Sequence, residues 1–154
     1  MVKRVAINGF GRIGRMVFRR AILMDDFEIV AVNASYPAET LAHLVKYDSI
    51  HGKFSGDVQA GENCLIVNGK KVILTNNRNP EQLPWKDLDI DIVIEATGKF
   101  NAREKAQLHL KAGAKKVILT APGKNEDVTI VVGVNDHELE LEKHDIISNA
   151  SCTT

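Results

Sequence analysis

The chain has 154 residues, and its formal net charge is zero because 20 basic residues balance 20 acidic ones. This length is typical of one domain, and a hydrophobic fraction of 44% is sufficient for one buried core. The balanced charge argues against nucleic acid or an anionic membrane as a partner, and two cysteines fit a reducing cytoplasm. The sequence contains neither a signal-peptide core nor an apolar run long enough to cross a membrane.

Short apolar runs alternate with longer amphipathic segments along the chain, which is typical of βαβ units around a mainly parallel sheet. Strands are predicted at residues 5–7, 29–32, 90–95, 117–119, 128–132 and 145–147, and helices at residues 12–24, 38–47 and 101–111. A hairpin is predicted over residues 65–74, where Asn68-Gly69 suits a type I′ turn. The expected fold class is α/β, a Rossmann-like doubly wound sheet with helices on both faces.

The helix predicted at residues 101–111 has the clearest end signals. Asn101 is expected to cap its first turn, and Glu104 would complete a capping box three residues later. Gly113 is expected to end the helix, since glycine readily adopts the left-handed conformation found there.

A glycine-rich loop connects the first predicted strand to the first predicted helix. Gly9, Gly11 and Gly14 form the pattern G-x-G-x-x-G, in which the glycines permit a tight turn, a close approach to a pyrophosphate and close helix–strand packing. Arg12 adds a cation beside the loop, and the helix N-terminus adds positive potential. The loop therefore predicts a dinucleotide site. The alternative is a tight turn that binds no ligand.

The second predicted strand leads into Asn33, where an acidic residue would bind the ribose hydroxyls of NAD and repel a 2′-phosphate. Asn33 is neutral, and its amide can donate to a phosphate oxygen. Ala34 leaves room, and Ser35 offers a hydroxyl. We therefore predict that NADP is preferred over NAD. The alternative is that Asn33 caps the strand and the site binds NAD with less discrimination, because no basic residue neighbours Asn33 in the sequence.

Cys152 follows the last predicted strand and has polar residues on both sides. If Ser151 caps a helix that begins at Cys152, the thiol lies at the positive end of the helix dipole, which favours the nucleophilic thiolate. The alternative is a small buried apolar cysteine, which is the interpretation that we adopt for Cys64.

Five segments, in this order along the chain, resemble the phosphorylating glyceraldehyde-3-phosphate dehydrogenases. They are residues 7–15 (INGFGRIGR), 46–52 (KYDSIHG), 95–98 (EATG), 113–117 (GAKKV) and 148–154 (SNASCTT). The resemblance covers essentially the whole chain. It implies that residues 1–148 are an NAD(P)-binding Rossmann domain and that residues 149–154 are the first residues of a catalytic domain.

In the family, a general-base histidine, a substrate-phosphate arginine and a C-terminal helix that packs on the cofactor domain all lie beyond the cysteine. The resemblance therefore implies that the chain stops just after its nucleophile. We expect these 154 residues alone to bind dinucleotide weakly and to turn over no substrate.

The resemblance also implies a reaction. Cys152 would form a thiohemiacetal with glyceraldehyde 3-phosphate, a hydride would pass to the nicotinamide, and inorganic phosphate would cleave the thioester to 1,3-bisphosphoglycerate. The Cys152 N–H would help to hold the oxyanion, and Ser151 and Thr153 would contact substrate or phosphate. The residues implied to bind the cofactor are Gly9, Gly11, Arg12, Ile13, Asn33, Arg78, Thr97, Gly98 and Thr120.

The run Asn33-Ala34-Ser35 resembles the bacterial branch described as NADP-preferring and gluconeogenic, and the family implies a cytoplasmic homotetramer. Two other functions stay open. Erythrose-4-phosphate dehydrogenase shares both the glycine and the cysteine motifs. A non-catalytic module that binds dinucleotide or RNA would use the glycine loop but has no use for the cysteine segment. No metal site is predicted, because no two Cys or His residues have ligand spacing.

Overall fold

The structure is a computed structural model that describes residues 2–151, so the predicted nucleophile Cys152 and its neighbour Thr153 lie outside the described residues. The strands are β1 Lys3–Asn8, β2 Phe27–Asn33, β3 Val58–Gly61, β4 Cys64–Val67, β5 Lys70–Thr75, β6 Ile92–Glu95, β7 Lys116–Leu119, β8 Val128–Thr129 and β9 Ile146–Ser148. The helices are α1 Arg12–Ala21, α2 Ala38–Lys46 and α3 Arg103–Lys111. None of the helices within residues 2–151 is long and apolar enough to cross a membrane.

Within the described range the strands form one sheet in the order β3-β4-β5-β2-β1-β6-β7-β9-β8. All neighbours from β5 to β8 in this order are parallel, and only β3 and β4 join the sheet in antiparallel fashion. The chain extends from β1 to β2 on one side and returns to β6 on the other. This arrangement confirms the predicted doubly wound α/β fold, and it leaves a crevice where the direction of winding changes.

The side chains of β1 pack alternately into apolar clusters on the two faces of the sheet. Val5 and Ile7 pack in one apolar cluster with Phe18 of α1 and Leu41 of α2. Ala6 between them belongs to a second cluster around Trp85, which is completely buried. Successive side chains of a strand point to opposite faces, so a strand covered on both sides is apolar throughout.

The predicted hairpin is confirmed. Asn68 and Gly69 both have positive φ, 51° and 78°, and connect β4 to β5 in antiparallel register. Most other predicted elements differ from the structure by one or two residues at their ends. The α1 helix ends at Ala21 rather than at Met24, because the Leu23 and Met24 N–H groups bond to carbonyls three residues back instead of four. Strand β3 was not predicted from the sequence.

The predicted capping box at α3 is wrong. The helix begins at Arg103, and Ala102 precedes it without a side-chain cap. Asn101 instead donates from Nδ2 to the Gly98 carbonyl, so the amide is used by the preceding turn. The predicted helix end is confirmed, since Gly113 has φ 116° and its N–H bonds to the Leu110 carbonyl.

The strand predicted at residues 128–132 is shortened to β8 by a side chain. Asn135 Oδ1 accepts a hydrogen bond from Val131 N at 2.8 Å, and Asn135 Nδ2 donates to the Thr129 carbonyl at 2.9 Å. These bonds use backbone groups that would otherwise extend the strand, and the chain turns instead.

An apolar groove of about 480 Å³ lies against the sheet beside α1. Its lining includes Val17, Ala21, Ile29, Ile92, Ile94 and Ile118. The family resemblance implies a later helix that packs on this domain, and nothing in residues 2–151 shows what covers the groove.

Candidate functional site

A cavity of about 550 Å³ lies at the carboxyl ends of β1, β2 and β6, where the direction of winding changes. Its lining comes from the glycine loop and the first turn of α1, from the end of β2, from the loop after β5 and from the loop after β6. Ligands of doubly wound sheets bind at this position, because the strand ends and helix N-termini converge there.

The three glycines of the loop have different surroundings. Gly9 has φ 96°, and a Cβ added there would lie 2.7 Å from Thr97 Cγ2. A Cβ on Gly14 would lie only 2.1 Å from the Gly9 carbonyl oxygen, so α1 can pack this closely only without a side chain. Gly11 lines the cavity, and a Cβ there would meet nothing within 4 Å. The tight turn and the close packing are therefore confirmed, and the approach of Gly11 to a pyrophosphate stays a prediction.

The charge of the cavity suits a polyanion. Four cationic side chains line it: Arg12, Arg15, Arg78 and Lys99. No carboxylate is present among the described residues of this lining. No side-chain hydrogen bond caps the N-terminus of α1, whose first residue, Arg12, also lines the cavity. A chain of zero net charge thus concentrates positive potential at one place, where a pyrophosphate fits.

The side chain of Asn33 makes all of its hydrogen bonds within the protein. Its Nδ2 donates to Asn8 Oδ1 at 2.8 Å and to the Asn77 carbonyl at 2.7 Å. Its Oδ1 accepts from Thr75 Oγ1 at 2.9 Å and from Asn77 N at 3.0 Å. The expectation that this amide donates to a phosphate is therefore wrong for this arrangement, because both of its hydrogens are already used.

The same hydrogen bonds fix the loop that carries Arg78. Asn77 is held to Asn33 through both of its backbone polar groups, and Arg78 follows directly and lines the cavity. The Arg78 guanidinium therefore lines the same cavity as Asn33, although no basic residue neighbours Asn33 in the sequence. The parallel pairing of β2 with β5, which places Thr75 opposite Asn33, is the signal that could have revealed it.

Six of the nine residues that the resemblance implied for the cofactor line the cavity: Gly9, Gly11, Arg12, Asn33, Arg78 and Thr97. Three do not line it: Ile13, which is 55% exposed on α1, Gly98, and Thr120, whose hydroxyl donates to the Glu95 carbonyl. Ser151 is exposed at the end of the described range. Lining residues that were not assigned from the sequence are Asn8, Phe10, Arg15, Tyr36, Asn77, Lys99 and Phe100.

The segment at residues 46–52 forms a separate turn around Asp48. Its carboxylate accepts hydrogen bonds from His51 N at 2.7 Å and Ile50 N at 2.9 Å, and Arg19 donates to the Gly52 carbonyl. The backbone N–H of His51, followed by that of Ile50, lowers the pKa of Asp48 from 3.8 to about 2. The hydrogen bonds from the His51 and Ile50 N–H groups to the Asp48 carboxylate stabilise the turn.

We expect the Asp48 carboxyl carbon to titrate with a midpoint near pH 2 in an NMR pH series. Because the folded pKa is lowered, the stabilisation is fully present above about pH 4 and is lost as the pH falls toward 2. The His51→Ala variant is the control. It removes only the ring and keeps both backbone donors, so the midpoint should stay well below 3.8. A midpoint near 3.8 in the unsubstituted protein would contradict the conclusion that backbone N–H groups lower the pKa of Asp48.

No cluster of three or more His, Cys, Asp or Glu residues in the part of the chain that the structure describes is arranged to hold a metal ion.

The fold, the glycine loop and the cationic cavity together define a dinucleotide-binding domain of the Rossmann type. The family model for the NAD binding domain of glyceraldehyde 3-phosphate dehydrogenase matches residues 3–103. The chain therefore belongs to the glyceraldehyde 3-phosphate dehydrogenase family, and the part of the family that it matches is the NAD binding domain.

Relatives with curated names support this assignment. Over 154 residues the chain is 70% identical to glyceraldehyde-3-phosphate dehydrogenase 2 of Bacillus subtilis (strain 168) and 56% identical to glyceraldehyde-3-phosphate dehydrogenase of Geobacillus stearothermophilus. Over 155 residues it is 58% identical to glyceraldehyde-3-phosphate dehydrogenase 2 of Staphylococcus aureus (strain Mu50 / ATCC 700699). The matches cover 100% of this chain and 45%, 46% and 46% of the three relatives, so the chain spans about half their length.

Proposed function

We propose that this domain binds NAD(P) for a phosphorylating dehydrogenase that converts glyceraldehyde 3-phosphate, inorganic phosphate and NAD(P)+ into 1,3-bisphosphoglycerate and NAD(P)H. The observation that carries the proposal is the cavity at the change in winding, where a glycine loop and four cations meet and where no carboxylate from residues 2–151 is present. The names of the relatives supply the substrate, since all three are glyceraldehyde-3-phosphate dehydrogenases.

The residues present fit a dinucleotide. The pyrophosphate would be held by the backbone at Gly9 and Gly11 and by the Arg12 guanidinium. The adenosine half would lie toward Asn33 and Arg78, and Thr97 would line the opposite side. When bound, the dinucleotide supplies the acceptor for a hydride.

The remaining chemistry is assigned to the end of the chain. The Cys152 thiolate would add to the aldehyde carbon to form a thiohemiacetal. The thiohemiacetal would lose a hydride to the dinucleotide and its hydroxyl proton to the general-base histidine that the family resemblance implies beyond the cysteine, which would leave a thioester. Inorganic phosphate would cleave the thioester, with Ser151 and Thr153 contacting substrate or phosphate. We place the boundary between the cofactor domain and the catalytic domain after Ser148, the residue at which β9 ends.

NADP is the preferred cofactor in this proposal, and NAD is the second. Two features support the preference. The end of β2 carries Asn33 in place of a carboxylate, so no negative charge there repels a 2′-phosphate. Arg78 adds a guanidinium to the same cavity, and guanidinium groups form charge-assisted hydrogen bonds with phosphate oxygens.

The Arg78→Gln variant is expected to weaken NADP+ binding by about tenfold, because a charge-assisted hydrogen bond to the 2′-phosphate is lost. NAD+ has no 2′-phosphate, so its dissociation constant should change much less. Isothermal titration of both cofactors measures the two effects.

Arg20→Gln is the matched control, because it removes a cation from the end of α1 that does not line the cavity. It should leave both dissociation constants unchanged. Equal weakening of NADP+ and NAD+ by Arg78→Gln would contradict a contact with the 2′-phosphate.

A further inference from the structure

A carboxylate and an imidazole are completely buried beneath the cavity. Glu95 ends β6, His109 belongs to α3, and neither lines the cavity. Four donors converge on Glu95. Its Oε1 accepts from Asn8 Nδ2 at 2.5 Å and from His109 Nε2 at 2.9 Å, and its Oε2 accepts from Thr97 N at 2.9 Å and Thr97 Oγ1 at 2.6 Å. Both oxygens are therefore fully used as acceptors.

The direction of each hydrogen bond in this group is determined by chemistry. Trp85 Nε1 lies 3.0 Å from His109 Nδ1, and an indole N–H can only donate. His109 Nδ1 is thus the acceptor, and Nε2 carries the hydrogen that is donated to Glu95. On the other side, Asn8 donates to Glu95 and accepts from Asn33 through Oδ1. Asn8 Nδ2 and His109 Nε2 lie 3.4 Å apart, and because both donate to Glu95 Oε1 in this assignment, they are not bonded to each other. A polar network with its donors and acceptors assigned in this way holds its members in one arrangement.

The network ends at residues that form the cavity. Asn8, Asn33 and Thr97 all line it, and each is bonded to Glu95 directly or through one neighbour. Thr97 also contacts the glycine loop, since the position of a Cβ on Gly9 lies 2.8 Å from Thr97 N. A shift of Thr97 would therefore change the shape of the pyrophosphate site. Trp85 holds the other end of the network within the second apolar cluster.

We propose that Glu95 is a positioning residue of the dinucleotide site, which acts through Asn8 and Thr97 and is itself held by His109 and Trp85. The ligand in this proposal rests on the function proposed above. A buried carboxylate is tolerated only when its hydrogen bonds are satisfied, so its four donors cannot relax independently of one another. The site is thereby built before the dinucleotide arrives, which lowers the cost of binding.

The Glu95→Gln variant tests the proposal, because it keeps the shape of the side chain and replaces one acceptor with an NH2 group. If that group faces Thr97, it opposes the Thr97 N–H. If it faces the other way, it opposes the donors of Asn8 and His109. We expect the dissociation constants of NADP+ and NAD+ to rise by about tenfold together. We also expect the Thr97 amide resonance to move in the ligand-free protein, which a general loss of stability would not cause.

Asp127→Asn is the matched control. Asp127 also accepts two backbone N–H bonds, from Asp145 and Ile146, and pairs with Arg103, but it lies at the β8–β9 edge and does not line the cavity. It should lower stability without changing either dissociation constant. An equal effect of Asp127→Asn and Glu95→Gln on binding would overturn the positioning role.

If Glu95→Gln does not fold, a pair of variants at His109 gives the test. His109→Leu removes the donor to Glu95, whereas His109→Gln keeps an N–H donor, so binding should weaken in the first and recover in part in the second. Wild-type affinity in both variants would overturn the role of Glu95 while the proposed function stands. A wild-type protein that binds neither dinucleotide would overturn the proposed function itself.

Discussion

Gly14→Ala is expected to destabilise the domain by about 3 kcal/mol and to abolish dinucleotide binding, because the core at this point cannot accept a methyl group. The added Cβ would lie 2.1 Å from the Gly9 carbonyl oxygen and 3.1 Å from the Gly9 carbonyl carbon. These are backbone atoms of a loop that itself contacts Thr97, so relief requires α1 to move away from the sheet. Urea unfolding and isothermal titration measure the two losses.

Gly11→Ala is the matched control for this prediction. A Cβ on Gly11 meets nothing within 4 Å, and its φ of −75° is accessible to alanine. The free energy of unfolding should therefore change by less than about 1 kcal/mol, which is the scale of an N-cap effect. Dinucleotide binding should still weaken, because the methyl group enters the cavity near the pyrophosphate. Equal losses of stability in the two variants would contradict the different roles of the glycines.

Asn33→Asp is expected to shift the ratio of the NADP+ and NAD+ dissociation constants by at least about tenfold toward NAD, because it places a negative charge beside the 2′-phosphate. It has a second effect. The new carboxylate oxygen would face Asn8 Oδ1 and the Asn77 carbonyl, both of which now accept hydrogen bonds from Asn33. Such a buried mismatch costs about 1–3 kcal/mol of stability.

The loss of stability should weaken the binding of both cofactors alike, so the ratio of their dissociation constants isolates the effect of the charge. Thr75→Val provides the control, since it removes a hydrogen bond to Asn33 without adding charge and Thr75 does not line the cavity. It should reduce stability and leave the ratio unchanged. An unchanged ratio in Asn33→Asp would reject the proposed cofactor preference.

Local signals predicted much of the fold. Strands buried on both faces, the Asn68-Gly69 turn and the glycine loop were all recognisable from adjacent residues, and each is present in the structure. Two of the errors lie where side-chain and backbone hydrogen bonds compete. Asn101 could cap a helix or close the preceding turn, and the structure shows the turn. Asn135 shortens β8 from outside the predicted strand.

Within the candidate site, the sequence predicts reliably only the part that the glycine loop forms. Gly9, Gly11 and Arg12 come from a contiguous motif, whereas Asn77 reaches Asn33 only through the register of β2 and β5. Hydrogen bonds between residues far apart in the sequence, such as Glu95 to Asn8, leave no local pattern. The hydrogen bonds of Asn33 leave no local pattern for the same reason, since its partners lie on two other segments, at residue 8 and at residues 75–77.

An NMR titration of the protein with NADP+ is the most direct test of whether this cavity is a dinucleotide site. The account predicts saturable shifts of backbone amides in the four segments that contribute to its lining, which lie within residues 8–15, 33–36, 77–78 and 97–100. The apolar groove beside α1 should be unaffected. Absence of shifts, or shifts confined to that groove, would contradict the central claim.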